Sequence, residues 1–287
     1  RFQGSARYAM TGIVSGAMIN IILDPLFIFV LNMGIGGAAL ATVISQFISF
    51  CILCYGTHKG GNLRIDFRKF SFDPEYYKNI LKGGFPSLTR QGISAISTII
   101  LNIAAGGYGD AAIAGISIVT RISNFAASIM IGFGQGFQPV CGFNYGAEKY
   151  DRVRQGFWYC IKISLVILTI LSVVGYLNAE SIISVFRKGD VDVIAIGSQT
   201  LRLHCITFWM IGWVTITNMM LQTIGRTMSA SILAASRSGL FLIPALIIGN
   251  YMFGLLGVEL AQVIADICSF ILAVPLCLKV LGDMKNR

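Results

Sequence analysis

From Pro25 to Thr57 the chain holds no Asp, Glu, Lys or Arg. Such a run is too long for one buried helix of a soluble domain, and it contains a single break, Asn32-Met33-Gly34. Asn and Gly reach left-handed backbone at low cost and so mark a turn. A membrane-crossing helix takes about 20 apolar residues. The run, with the approach NIILD before it, therefore reads as two such helices joined by a tight turn. Lipid supplies no hydrogen-bond partners, and a helix satisfies its own backbone there. A helical hairpin is the unit this sequence dictates.

The same reading along the whole chain gives eight apolar segments, at roughly 8–31, 35–57, 79–106, 110–138, 153–177, 192–222, 228–251 and 255–280. The third, fourth and sixth are long and are expected to tilt or to extend past the bilayer. The fold class is all-α, a polytopic membrane protein with eight transmembrane helices. Bulk composition agrees: 55% of residues are hydrophobic and only 12% charged, against about a quarter charged in a soluble domain. Mean hydropathy is +0.74.

The net charge of +9 would suggest nucleic acid in a soluble protein. Here the cations collect in alternate loops. Arg1 and Arg7 precede the first segment, and Lys59, Arg64, Arg68, Lys69, Lys78 and Lys82 follow the second. Lys149, Arg152 and Arg154 follow the fourth, Arg226 the sixth, and Lys279, Lys285 and Arg287 end the chain. On the other side only Arg187 and Lys188 occur, balanced by Glu180, Asp190 and Asp192. The positive-inside rule then places both chain ends in the cytoplasm, with the bilayer and not nucleic acid as partner. Seven cysteines are present, mostly inside apolar runs. Cys51 and Cys54 form a C-x-x-C pair on an apolar helix without a second pair, so no metal or redox role is expected.

An internal repeat divides the chain. GIGGAALATVISQFISF (34–50) matches GLLGVELAQVIADICSF (254–270), pairing Gly34 with Gly254, Gly37 with Gly257, Ala41 with Ala261 and Ser49 with Ser269. Six segments separate the copies, so they share one topology and form a parallel repeat. Residues 1–58 read as the last two helices of a first lobe and 79–287 as a second, six-helix lobe. The basic stretch 59–78 between them reads as a cytoplasmic linker. On that plan the first lobe's other four helices precede Arg1.

Charge inside apolar helices is costly and marks function by default. Asp24 is such an acid. Asn20 lies four residues before it, on the same helical face. Thr42 lies as far beyond the turn as Asp24 lies before it, which predicts equal depth on the facing helix. A carboxylate, an amide and a hydroxyl, all oxygen donors, suit a proton or a small hard cation such as Na+. The bland alternative is a structural polar knot beside Pro25, whose missing N–H is expected to bend the helix. The repeat does not duplicate the set: Leu240 stands against Asn20 and Gln262 against Thr42. In the second lobe Asp266, read as its only interior carboxylate, is expected to answer Arg121. With Arg202 and Gln262 it would form either the charged wall of a substrate cavity or a buried structural network. His204 reads as a satisfied polar group. Met130, Phe133, Phe137, Trp209, Met210, Trp213, Met219 and Met220 could line a cavity for varied ligands, although core packing is the stronger reading for any one of them. No paired carboxylates, metal cluster or nucleophile elbow is present, so an enzyme is not expected.

The pieces NIILDPLFIF, GIGGAALATVIS, GGFPSLTRQG, GFQPVCGFNYGAEKYDRVR, LQTIGR and GLLGVELAQVIAD occur in this order along essentially the whole chain. Together they resemble the multidrug and toxic compound extrusion (MATE) family, in its DinF/MepA-like bacterial branch. The resemblance implies helices five to twelve of a two-lobe, twelve-helix antiporter that is monomeric and multi-pass in the bacterial inner (plasma) membrane. It implies export of drugs or organic cations in exchange for H+ or Na+, with no other cofactor. The family's first-lobe cation site has an Asn and an Asp four apart and a Thr on the next helix, which fall on Asn20, Asp24 and Thr42. Its further Asp on helix one lies outside this chain, and the second-lobe acids that some members use on helices seven and ten have no counterpart. Two alternatives stay open: a lipid-linked oligosaccharide or polysaccharide flippase of the same superfamily, and a membrane receptor or scaffold without transport.

Overall fold

A computed structural model describes residues 6–59 and 73–285 as helices joined by short turns, with no strand among the described residues. The chain divides into two compact units, Arg1–Asp73 and Pro74–Arg287. The linker expected at 59–78 falls largely outside the described residues.

The first unit is a helical hairpin. Helix α1 (Ala6–Pro25) runs into a π-helical turn, π1 (Leu26–Val30), and α2 (Gly34–Lys59) returns against it. The winding widens immediately after Pro25, which has no N–H for the α-helical ladder. Asn32 and Gly34 take positive φ, 51° and 55°. Met33 N donates to Phe27 O at 3.0 Å and closes the turn. The helices then approach closely: a Cβ at Gly37 would stand 2.8 Å from the Phe27 carbonyl oxygen. Further along, Ser49 Oγ donates to Gly12 O at 2.8 Å and crosslinks the pair. Most other side chains of this unit are exposed and apolar, as at Phe29, Ile35 and Phe47, a surface suited to hydrocarbon.

The second unit comprises α3 (Pro74–Gly106), α4 (Asp110–Gly146), α5 (Tyr150–Leu177), short α6 (Ala179–Phe186), α7 (Val191–Thr223), α8 (Thr227–Ala235), π2 (Ser236–Leu240), α9 (Leu242–Phe253) and α10 (Leu255–Lys285). Helix α7 is its centre, packing on α4, α5 and α10. Its residues are buried on every side, and Leu201, Ile211, Ile216, Met220 and Leu221 belong to the tightest core. The closing hairpin, α8 to α10, repeats the first unit's joint. Gly254 has φ 60°. A Cβ at Gly257 would fall 1.9 Å from the Gly249 carbonyl oxygen. Ser236 Oγ meets Ser269 Oγ at 3.1 Å.

The eight segments read from sequence correspond to helical rods, with α6 as an unexpected short insertion between the fifth and sixth. Among the described residues, six stretches are long and apolar enough to cross a membrane: Met10–Val30, Gly34–Thr57, Asp110–Gly146, Tyr150–Leu177, Thr227–Phe253 and Leu255–Lys285. α3 and α7 are as long but carry more polar side chains along their length. α3 opens with the polar turn PEYYKN, leaving the shorter apolar stretch Gln91–Gly106. α7 carries Gln199, His204, Thr207 and Asn218, and neighbouring helices supply partners for them.

Candidate functional site

Among the described residues each hairpin carries a polar centre. In the first, one helical turn separates Asn20 from Asp24, and Asn20 Nδ2 donates to Asp24 Oδ1 at 3.1 Å. Both residues are half-buried. Thr42 is exposed on α2, and its hydroxyl donates to its own helix at Ala38 O, 3.0 Å away. Asn20 and Thr42 line one cavity of about 270 Å³ together with Ser45, Gln46 and Ser49. The structure thus brings Asn20 to Asp24 and Asn20 to Thr42. No hydrogen bond joins Asp24 to Thr42 among the described residues. With its donor spent on Ala38, Thr42 offers the cavity only oxygen lone pairs.

The second centre is built around Asp266 on α10, which is 4% exposed. Arg237 Nε donates to its Oδ1 at 2.7 Å and Gln262 Nε2 to the same oxygen at 2.9 Å, while Thr207 Oγ1 shares its one proton between Oδ2 at 3.4 Å and the His204 carbonyl oxygen at 3.2 Å. A buried carboxylate persists as an ion only with this kind of pairing and donation. Beside it His204 is buried, with Nδ1 3.1 Å from Ser123 Oγ, so the ring is the satisfied polar group that its position suggested. Helices α4, α7 and α10 and the π2 turn each supply a member.

This arrangement replaces part of the sequence reading. Arg121 is exposed on α4 and does not meet Asp266. Arg202 pairs instead with Glu180 on α6, 2.9 Å away, at a largely exposed position. Asp266 is not the only interior acid, because Glu259 is 2% exposed and accepts from Gln199 Nε2 at 3.1 Å. The side chain of Arg90 lies outside the described residues. Arg237 is the residue that sequence reasoning passed over. Its signal was present: it is the only Lys or Arg between Arg226 and Lys279, in the middle of an apolar helix. The Met and aromatic residues go mainly to packing. Met130, Phe137, Met219 and Met220 are buried. Trp209 and Trp213 stand edge-on to Phe270, with ring centroids 5.2 and 5.8 Å apart.

Comparison with known proteins places these centres in a wider context. The MatE family signature matches residues 86–248. Multidrug export protein MepA of Staphylococcus saprophyticus is 28% identical over 285 residues, taking in 99% of this chain and 62% of the relative. Among solved structures, an outward-facing multidrug resistance MATE family transporter of the MOP superfamily superposes with a TM-score of 0.87 at 26% identity, over 99% of this chain and 64% of that one. A MOP superfamily transporter from Pyrococcus furiosus superposes with a TM-score of 0.87 at 27% identity, over 98% of this chain and 64% of that one. The chain therefore spans a little under two thirds of the length of its relatives.

Proposed function

The chain belongs to the MatE family of membrane transporters, and on that premise we propose that it serves a secondary antiporter exporting cationic or amphipathic compounds in exchange for H+ or Na+. The observation that carries the reading is the Asn20–Asp24 pair, held within an apolar span, with Asn20 lining an open groove that Thr42 also lines. An ionisable group at such a depth is retained for ion movement more often than for stability. Asp24 has one neutral donor and no cationic partner among the described residues, so its charge is open to neutralisation by an incoming ion. Binding of that ion favours one arrangement of the transporter and binding of the exported compound the other, as alternating access requires. The orientation with both chain ends in the cytoplasm of a bacterial cell, and a monomeric assembly, belong to the same proposal.

The test is accumulation of a fluorescent organic cation in cells expressing the gene, with Asp24→Asn against the unchanged protein and with and without an uncoupler. Ion-driven export should disappear in the variant. Full-rate export by Asp24→Asn under an ion gradient would overturn the coupling role.

A further inference from the structure

The second unit holds a cavity of about 110 Å³ lined by side chains of α3, α4, α7, π2, α9 and α10, among them Arg237, Gln262, His204, Ser123, Thr120 and Thr98. At about 30 Å³ per water it has room for three or four waters, the space of one small oxyanion. Drug-sized pockets run to about 300–1,000 Å³. Its chemistry is one-sided. Asp266 is not part of the lining: its Oδ1 is turned to Arg237 and Gln262, and its Oδ2 to Thr207. Arg237, however, meets Asp266 through Nε. Among the described residues its two terminal nitrogens have no hydrogen-bond partner, and the side chain is 24% exposed while it lines the cavity. A cation entering here finds no carboxylate, whereas an oxyanion finds the paired N–H groups of a guanidinium, whose fork matches carboxylate and phosphate oxygens. Thr98 and Thr120 spend their own protons on the carbonyls of Ser94 and Ile116, at 2.9 and 2.8 Å. Toward the cavity they accept only.

We propose that this cavity is an oxyanion site, seated on the terminal nitrogens of Arg237 and fitted to a phosphate or carboxylate that carries O–H or N–H donors of its own. Asp266, Gln262 and Thr207 are positioning residues that hold the guanidinium. The inference stands apart from the export reading, because occupancy is measured without transport.

The experiment is equilibrium dialysis of radiolabelled inorganic phosphate against the protein purified in dodecyl maltoside, with radiolabelled tetramethylammonium as the cation control. Phosphate should bind saturably at one site and tetramethylammonium should not. The double variant Arg237→Gln with Asp266→Asn removes both charges together and should weaken phosphate binding at least tenfold. Thr98→Phe fills the cavity from its exposed edge, leaves the ion pair intact and should do the same if the double variant does not fold. Repeating the dialysis in nanodiscs with and without phosphatidic acid identifies the source of the group. Suppression by that lipid assigns the site to a lipid headgroup, and unchanged binding assigns it to a soluble phosphorylated or carboxylated compound; both support the site. Absence of saturable phosphate binding in detergent, or binding untouched by Thr98→Phe, would overturn it.

Discussion

In the hairpin of the first unit and the hairpin that closes the second, the turn is made in the same way. Gly34 and Gly254 take φ of 55° and 60°. Three residues on, Gly37 and Gly257 let a carbonyl of the first helix come against the backbone of the second. The matched serines, Ser49 and Ser269, both reach across to the opposite helix. The polar cargo differs. The first hairpin holds an acid with one amide donor, at Asp24. The second holds an acid on the returning helix, Asp266, with an arginine from the outgoing one. Repeat-matched positions line both cavities: Ala17 and Thr42 in the first correspond to Arg237 and Gln262 in the second. The lesson is that one backbone joint has been kept while its electrostatics were exchanged. One copy leaves its acid without a cationic partner among the described residues, and the other pairs its acid with an arginine.

The strongest way to break this comparison is to unpair the second hairpin. Asp266→Ala leaves Arg237 without its counter-charge, and loss of one partner of a buried pair costs about 3–5 kcal/mol. Thermal unfolding in detergent should show a correspondingly large fall in Tm. Arg237→Gln with Asp266→Asn should recover most of it. A double variant as unstable as the single one would mean that packing, and not charge, is at stake.

Next come the joints themselves. Gly257→Ala places a methyl group against a carbonyl that cannot rotate away, and overpacking of this kind costs about 1–3 kcal/mol. Gly37→Ala should cost less, since its nearest backbone atom stands at 2.8 rather than 1.9 Å. Equal losses of Tm would show that the two turns are less alike than their backbones indicate.

The smallest effect sharpens the contrast. Asp24→Asn removes a charge supported by one neutral hydrogen bond and should change stability by about 1 kcal/mol or less. Thr42→Val loses a hydroxyl bonded only to its own helix and should do less still. Both are expected to leave Tm nearly unchanged while ion-driven export falls. A destabilisation by Asp24→Asn as large as that of Asp266→Ala would mark Asp24 as structural.

Much of this was legible without coordinates. Hydrophobic run length determined the rods, because a bilayer of given thickness admits few other solutions. The turn at 32–34, the repeat at 254–257 and the Asn20–Asp24 contact are local, and helical spacing of four residues already puts those two side chains together. Tertiary structure alone decided which cation answers Asp266. Arg121, Arg202 and Arg237 all lie in helices of the second unit, and the choice depends on the rotation of each helix about its axis. Side-chain periodicity reports that rotation poorly when nearly every face is apolar, since lipid and protein interior look alike to composition. Neighbours in space, and not neighbours in sequence, turned Arg121 outward, gave Arg202 to Glu180 and brought Arg237 onto Asp266.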